Sequence, residues 1–407
     1  MNKPELVMPA GDLEKLHTAL LFGADAVYAG GKEFSLRAHA GNLTLQEINE
    51  GLIFAHALGK KIYVTVNILA HNRDLKGLPP YLESLQELGV DGLIISDPGV
   101  LGMARRYAPQ IPITISTQAN VSNYESASFY KDLGAKRIVL ARELTLEEII
   151  EIKKRTGIEV EMFVHGAMCV SYSGRCLLSY YMTGRNANEG ACAHPCRYRY
   201  QLQEEKRPGE YFPIEEDERG SYILNSRDLC LLQHLPRLIE AGIDAFKLEG
   251  RMKSPLYVAV VGQVYRQAID TYMARPGEFI DGQLQLWESE LRRIATRPYT
   301  DGFIDGPDPG LQDIDHQTKG ERDYFCGVVK GYNQEYNCIV IEQRANFGPG
   351  DELELLIPGG SVIPLKFDRL YDEKMQEVDR ARHPRQLIYL PWDYPVAEFS
   401  ILRRRGI

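Results

Sequence analysis

Four stretches of this chain repeat one device: FGADAVY at Phe22–Tyr28, LGVDGLII at Leu88–Ile95, LGAKRIVL at Leu133–Leu140 and AGIDAFKL at Ala241–Leu248. In each, a glycine stands where a helix C-cap needs a left-handed residue, and an apolar run begins about three residues later. LGKKIYVTV at Leu58–Val66 is a looser copy. The intervening helices carry start signals: Thr44 with Glu47 and Thr145 with Glu148 form capping boxes. Asp12 is placed to cap a helix whose apolar face is Leu13, Leu16, Ala19 and Leu20. Strands are expected at 5–8, 26–29, 62–67, 92–96, 112–116, 137–141, 159–165 and 244–249. They are continuous apolar runs, the pattern of a parallel sheet buried on both faces. Eight such strands alternating with helices predict an α/β fold, a (β/α)8 TIM-like barrel over residues 1–275. An open doubly wound sheet is the alternative. No GxGxxG follows the first strand, and PAGD at Pro9–Asp12 is too short to cradle a pyrophosphate.

A barrel places its chemistry just past the C-terminal ends of its strands. That selects Gly11, Tyr28, Arg37, Asn67, Asp97, Gln118, Arg142, Glu143, His165, Lys247, Glu249 and Arg251. The charged stretch 197–222 departs from the repeat as an excursion between strands seven and eight. A long helix is expected from Leu256 to about Met273, followed by a linker over 276–322 with a short helix near 284–296. From Tyr324 the period changes to two, in YFCGVV, NCIVIEQ, DELELLI, VIPLKF and RQLIYL, with Gly and Pro turns between. Residues 323–407 therefore read as a small C-terminal antiparallel β-barrel domain. Arg403, Arg404 and Arg405 read as a solvated tail in preference to a phosphate contact.

The densest chemistry follows the seventh strand. Between Glu161 and Cys196 lie Cys169, Cys176, Cys192 and Cys196, four of the seven cysteines, and Cys230 follows 34 residues later. The N-terminus lacks the h-region and cleavage site of a signal peptide, and no run reaches the roughly 18 apolar residues of a spanning helix. A cytoplasmic setting away from membranes is expected, where clustered thiols bind metal or do chemistry more often than they form disulfides. Cys192 and Cys196 fit a zinc spacing, whereas Cys169 and Cys176 stand seven apart and do not. Iron–sulfur clusters tolerate irregular spacing, so a cluster ranks first, zinc second and packed thiols third. A thiol nucleophile competes, with His165 or His194 as its base. Cys326 and Cys338 read as core thiols of the β region. A net charge of −9 counts against nucleic-acid binding as a global sum, without excluding a local basic groove.

The run E-x-F-x2-G-A-M-C-x4-G-x-C-x-L-S, Glu161 to Ser179, resembles the signature of the collagenase-like peptidase family U-thirty-two. The likeness extends through ELVMPAGD, GADAVYAG, RPGEY, NSRDL, KLEGRMKS and VYRQAID into the C-terminal β region. That combination is similar to the branch of prephenate-dependent tRNA uridine hydroxylases. The resemblance implies a barrel with a 4Fe-4S cluster, tRNA as substrate, hydroxylation of a wobble uridine to 5-hydroxyuridine and prephenate as co-substrate. The tRNA branch implies Cys169, Cys176, Cys192 and Cys196 as ligands. A ubiquinone-hydroxylating branch takes one ligand from the loop where Cys230 stands, which leaves the fourth open between Cys196 and Cys230. Some members work as pairs, which makes a paralogous partner protein one arrangement. Prephenate is a dicarboxylate, suited to Arg37, Arg142, Lys247 and Arg251. Glu249 is placed to orient Arg251 or to serve as acid or base, and Tyr172, Tyr180 and Tyr181 to receive an unstacked base. The alternative is the peptidase of the family's name. Neither HExxH nor GxSxG occurs to support it.

Overall fold

The computed structural model describes the chain except residues 1, 36–40, 169–170, 172–177, 184, 186–191, 194, 196–201, 204–210, 213–215, 218–219, 222–226, 280, 307–321 and 407. In chain order its first elements are β1 (Glu5–Ala10), α1 (Leu13–Leu21), β2 (Ala26–Gly30), α2 (Leu45–Ala57), β3 (Lys61–Val66) and α3 (Leu78–Leu88). Next come β4 (Gly92–Ile95), α4 (Pro98–Tyr107), β5 (Ile113–Ile115), α5 (Tyr124–Asp132), β6 (Arg137–Val139), α6 (Leu146–Thr156) and β7 (Glu159–Ala167). Helix α7 (Leu178–Thr183) and four two-residue strands, β8 (Leu202–Gln203), β9 (Tyr211–Phe212), β10 (Glu216–Asp217) and β11 (Gly220–Ser221), precede β12 (Asp228–Cys230). Then follow α8 (Leu235–Glu240), β13 (Ala245–Leu248), α9 (Pro255–Ala274), α10 (Asp281–Ile294) and β14 (Tyr299–Thr300).

Strands β1 to β7 lie side by side in sequence order, all parallel, and β13 pairs with both β1 and β7. The eight strands thus close into a barrel, as the repeat predicts. Both capping boxes form, at Thr44 with Glu47 and at Thr145 with Glu148. The repeat's glycines adopt positive φ: 124° at Gly23, 74° at Gly89, 91° at Gly134 and 73° at Gly242. Val7, Ala26, Tyr28, Tyr63, Ile94 and Ala245 form a buried cluster inside the barrel. Because side chains alternate along a strand, that cluster sets the inward phase for every residue two further on.

β7 is nine residues long and outruns its barrel partners. Its upper end pairs antiparallel with β12, matching Ala167 to Asp228, Gly166 to Leu229 and Cys230 to His165. β14 adds to the far edge of β12. The register against β13 slips here: Phe163 faces Lys247 and His165 faces Leu248, so Val164 has no β13 partner. Its carbonyl instead accepts from Leu231 N at 2.8 Å. This is a bulge, and it re-aims the strand as it leaves the barrel.

The chain divides into two compact units: residues 1–13, 25–251 and 297–318 form one, and 14–24, 252–296 and 319–407 the other. The second contains an antiparallel sheet of β15 (Tyr324–Asn333), β16 (Cys338–Gln343), β17 (Leu353–Ile357), β18 (Ser361–Leu365), β19 (Leu370–Tyr371), β20 (Glu377–Val378), β21 (Leu387–Pro391) and β22 (Ile401–Arg404). The strand order is β18-β17-β22-β15-β16-β21-β19-β20, over a core that includes Val329, Ile341, Leu355 and Leu402. Cys326 and Cys338 are buried, as expected, and burial pushes the Cys326 thiol up to about 12.

The arginine run corrects the expectation of a solvated tail. Arg403 lies in a central strand, is fully buried, and meets Glu290 at 2.5 Å, Glu354 at 2.8 Å and Asp323 at 3.1 Å. Arg405 pairs with Glu354 at 2.9 Å. These counter-charges come from α10, β17 and the segment before β15, all distant in sequence, so the local run of three arginines gave no sign of them.

Candidate active site at the barrel mouth

The barrel axis is charged from its floor upward. At the floor, Lys61 Nζ and Arg137 Nη1 approach Glu5 at 2.9 and 2.5 Å, and Tyr63 donates to the same carboxylate at 2.9 Å. Arg137 also reaches Glu159 at 3.0 Å and Glu161 at 3.2 Å. Above them Lys247 Nζ donates to Glu161 Oε1 at 2.5 Å and lies 4.2 Å from the Tyr28 ring centroid. Burial alone would raise the Glu5 carboxyl, but the Arg137 and Lys61 charges outweigh it and hold the group below its ordinary range. Burial pushes the Lys247 ammonium down, against the opposing pull of Glu161. Burial also disfavours charge on Arg137, yet Glu161 and Glu5 prevail and raise it. Lys247 is therefore one layer below the mouth, held as an ion-pair partner.

One residue pair higher, Tyr28 OH donates to Glu249 Oε2 at 2.9 Å and to the Leu248 carbonyl at 3.0 Å. Arg251 is buried, donating from Nη2 to Asn42 Oδ1 at 2.6 Å and from Nη1 to Ser35 Oγ at 3.2 Å. A Cβ on Gly30 would lie 2.1 Å from Arg251 Nη2, so only glycine leaves room for the guanidinium. Gly166 has a φ of 109°, and a Cβ there would lie 2.5 Å from the Glu249 carbonyl oxygen. His165 is buried, with its ring centroid 5.2 Å from that of Tyr299. Arg142, half-buried, stacks 3.8 Å over the Phe163 ring and donates to the Ala167 carbonyl at 2.6 Å.

Across the mouth the described residues Asn67, Ser96, Ser116 and Gln118 are uncharged. Ser96 Oγ donates to the Asn67 carbonyl at 2.9 Å, Asn67 Nδ2 donates to Gln118 Oε1 at 3.3 Å, and the Ser116 hydroxyl donates to the same Gln118 oxygen. Asn67, Ser96 and Ser116 are buried and Gln118 half-buried.

The strand-end rule thus brings His165, Glu249 and Arg251 together at one level, with Arg142 beside them and Lys247 beneath. Arg37, Cys169, Cys176, Cys196, His194 and Tyr172 lie outside the described residues, as do the side chains of Tyr180 and Tyr181. Cys192 is half-buried, and so is Cys230, on a strand hydrogen-bonded to the one that leads into Cys169. Among the described residues no group of three or more His, Cys, Asp or Glu is placed to hold a metal. Glu161, absent from the strand-end selection, is the anion that positions Lys247. Its signal was its phase, two and four residues before Phe163 and His165 on one strand.

Residues 11–313 match the family described as peptidase family U32, and residues 321–403 its C-terminal domain. The chain is 41% identical over 406 residues to a Bacillus subtilis (strain 168) protein named tRNA hydroxylation protein P1, covering 99% of this chain and 95% of that one. It is 38% identical to tRNA hydroxylation protein P of Escherichia coli (strain K12), over 89% of this chain and 88% of the relative. A third relative, the 23S rRNA 5-hydroxycytidine C2501 synthase of Escherichia coli (strain K12), is 39% identical over 81% of this chain and 46% of its own. No helix among the described residues is long and apolar enough to cross a membrane. With both family regions matched along its length, the chain belongs to peptidase family U32.

Proposed function

We propose that this chain is a cytoplasmic RNA-modifying hydroxylase that converts a tRNA wobble uridine to 5-hydroxyuridine, with prephenate as co-substrate. The supporting observation is the 41% identity, spanning 99% of the chain, to a protein named for tRNA hydroxylation. The family's name points to peptide hydrolysis, but the names of these three full-length or barrel-length relatives point to RNA. Oxygen insertion into a pyrimidine needs an oxygen donor and redox chemistry that side chains lack; a bound cluster would supply electron transfer there.

Cys169 and Cys176, seven apart, do not follow the closely paired spacing of zinc ligands, which favours a 4Fe-4S cluster over zinc. Cys169, Cys176 and Cys192 would hold it. For the fourth ligand we favour Cys230 over Cys196, because β12 sets Cys230 opposite His165, four residues before Cys169. Arg142 at the rim, with Arg37 as its candidate companion, would bind a carboxylate of prephenate. Arg251 and Lys247, committed to protein partners, orient the strands around it. Glu249, tied to Tyr28, is the acid or base within reach of the mouth.

Anaerobic purification, an absorbance spectrum and iron and sulfide analysis test the cofactor, and nucleoside mass spectrometry of tRNA from a deletion strain tests the reaction. About four irons per chain and a loss of 5-hydroxyuridine in the deletion strain are expected. A colourless zinc protein, or unchanged tRNA, would overturn the reading.

A further inference from the structure

We infer that Arg227 is a second guanidinium of the mouth, binding one carboxylate of the co-substrate while Arg142 binds the other. The inference rests on the prephenate reading and deepens it, by assigning a residue that the strand-end selection passed over.

Arg227 immediately precedes β12, a strand fixed along both edges. On the β14 side, Asp228 N donates to the Pro298 carbonyl at 2.9 Å, and on the β7 side Asp228 pairs with Ala167. Ala167 is the residue whose carbonyl accepts from Arg142 Nη1 at 2.6 Å. Opposed residues of an antiparallel pair lie about 5 Å apart. Arg227 therefore stands one residue from the partner of the residue that Arg142 touches. One guanidinium from beyond β6 and one from the start of β12 thus flank the last residues of β7, just before Cys169.

The state of its side chain sets Arg227 apart. The residue is half-buried, and its Nε is shut off from water without a hydrogen-bond partner. Its two NH2 nitrogens are not buried in this way. Among the described residues no carboxylate forms an ion pair with it, and the nearest acid in sequence, Asp228, is engaged by Arg297 at 3.3 Å. Lys247, by contrast, is held by Glu161, and Arg251 donates to Asn42 and Ser35. A guanidinium sunk into protein without a counter-charge is unfavourable until an anion meets it. A carboxylate does so in two parallel hydrogen bonds across the planar fork. Prephenate carries two carboxylates on one ring carbon, one directly and one through a pyruvyl arm. Two guanidiniums flanking one strand end suit it better than a single cation.

The test uses the full-length holoprotein. Prephenate binding is measured by isothermal titration calorimetry without RNA, and KM for prephenate and for tRNA by nucleoside mass spectrometry of the product. Arg227→Met should raise the Kd and the KM for prephenate about tenfold to a hundredfold, the weight of hydrogen bonds to a charged group. Its KM for tRNA, iron content and thermal midpoint should match the wild type. Arg227→Lys keeps the charge but not the fork, and should recover part of the affinity. An unchanged prephenate Kd in folded, iron-replete Arg227→Met protein overturns the inference. A raised KM for tRNA with prephenate binding intact overturns it too, by assigning Arg227 to an RNA phosphate. So does a loss of iron in both variants, which marks a structural role beside the cysteine segment. If the wild-type holoprotein itself fails to bind prephenate, the co-substrate reading falls, whatever the variants do.

Discussion

Lys247 Nζ rests 2.5 Å from Glu161 Oε1 in a fully buried pair, and Glu161 is shared with Arg137 at 3.2 Å. The pair is asymmetric, since Glu161 is in direct contact with two cations and Lys247 with one shared carboxylate. Removing Glu161 strands buried positive charge, whereas removing Lys247 leaves Glu161 with Arg137. Glu161→Ala should therefore cost about 3–5 kcal/mol of unfolding free energy, and Lys247→Met clearly less. Urea denaturation of both variants decides it; equal losses would refute the asymmetry.

Gly166→Ala should be more damaging than an added methyl suggests. The new Cβ would fall 2.5 Å from a carbonyl oxygen, at a φ of 109°. Overpacking and backbone strain together predict a loss of about 2–5 kcal/mol. Because this glycine leads into Cys169, iron content should fall with it. A variant with wild-type melting and full iron would show that β7 tolerates displacement from Glu249.

Gly30→Ala displaces the Arg251 guanidinium rather than the backbone. Leu43 N donates to the Gly30 carbonyl at 2.8 Å, alongside the Arg251 contacts to Ser35 and Asn42. The Leu43 amide should exchange with deuterium faster in the variant while the amides of β3 and β4 keep their protection. Unaltered exchange at Leu43 would mean that Arg251 does not secure this connection.

Much of the fold was legible because its signals are local. Each glycine turn and capping box reports on its own helix, and each continuous apolar run on its own strand. The mouth was legible in part, since the end of a strand is a position in sequence. Long-range pairings were not. Cys230 looks like one residue of an excursion until β12 is seen lying along β7, and Arg403 looks like a tail until Glu290, Asp323 and Glu354 surround it. Nothing within ten residues of either carries that information.

Acid should unfold the chain through specific carboxylates. Glu5, despite burial, is held below its ordinary value of 4.5 by Arg137 and Lys61, and Glu354, despite burial, is held down by Arg405 and Arg403. A depressed carboxylate contributes stability that is complete above the unfolded value and lost as pH falls through the folded one. Thermal midpoints measured from pH 7 to pH 3, about the range these groups span, should be flat and then drop below about 4.5. Glu5→Gln should lower the neutral midpoint and flatten the acid limb, and a limb of unchanged steepness would assign the acid response to other groups.

Strand β22 lies between β17 and β15 in the middle of its sheet, although it follows the other seven strands of that sheet in sequence. Seven of the eight strands of that sheet are therefore synthesised before the one that joins them. While Ile401–Arg404 is still inside the ribosome, the β17 and β15 edges face water unpaired and Glu290, Asp323 and Glu354 lack their arginine. A chain interrupted between β21 and β22 would carry two open strand edges, the form most prone to pair with another chain.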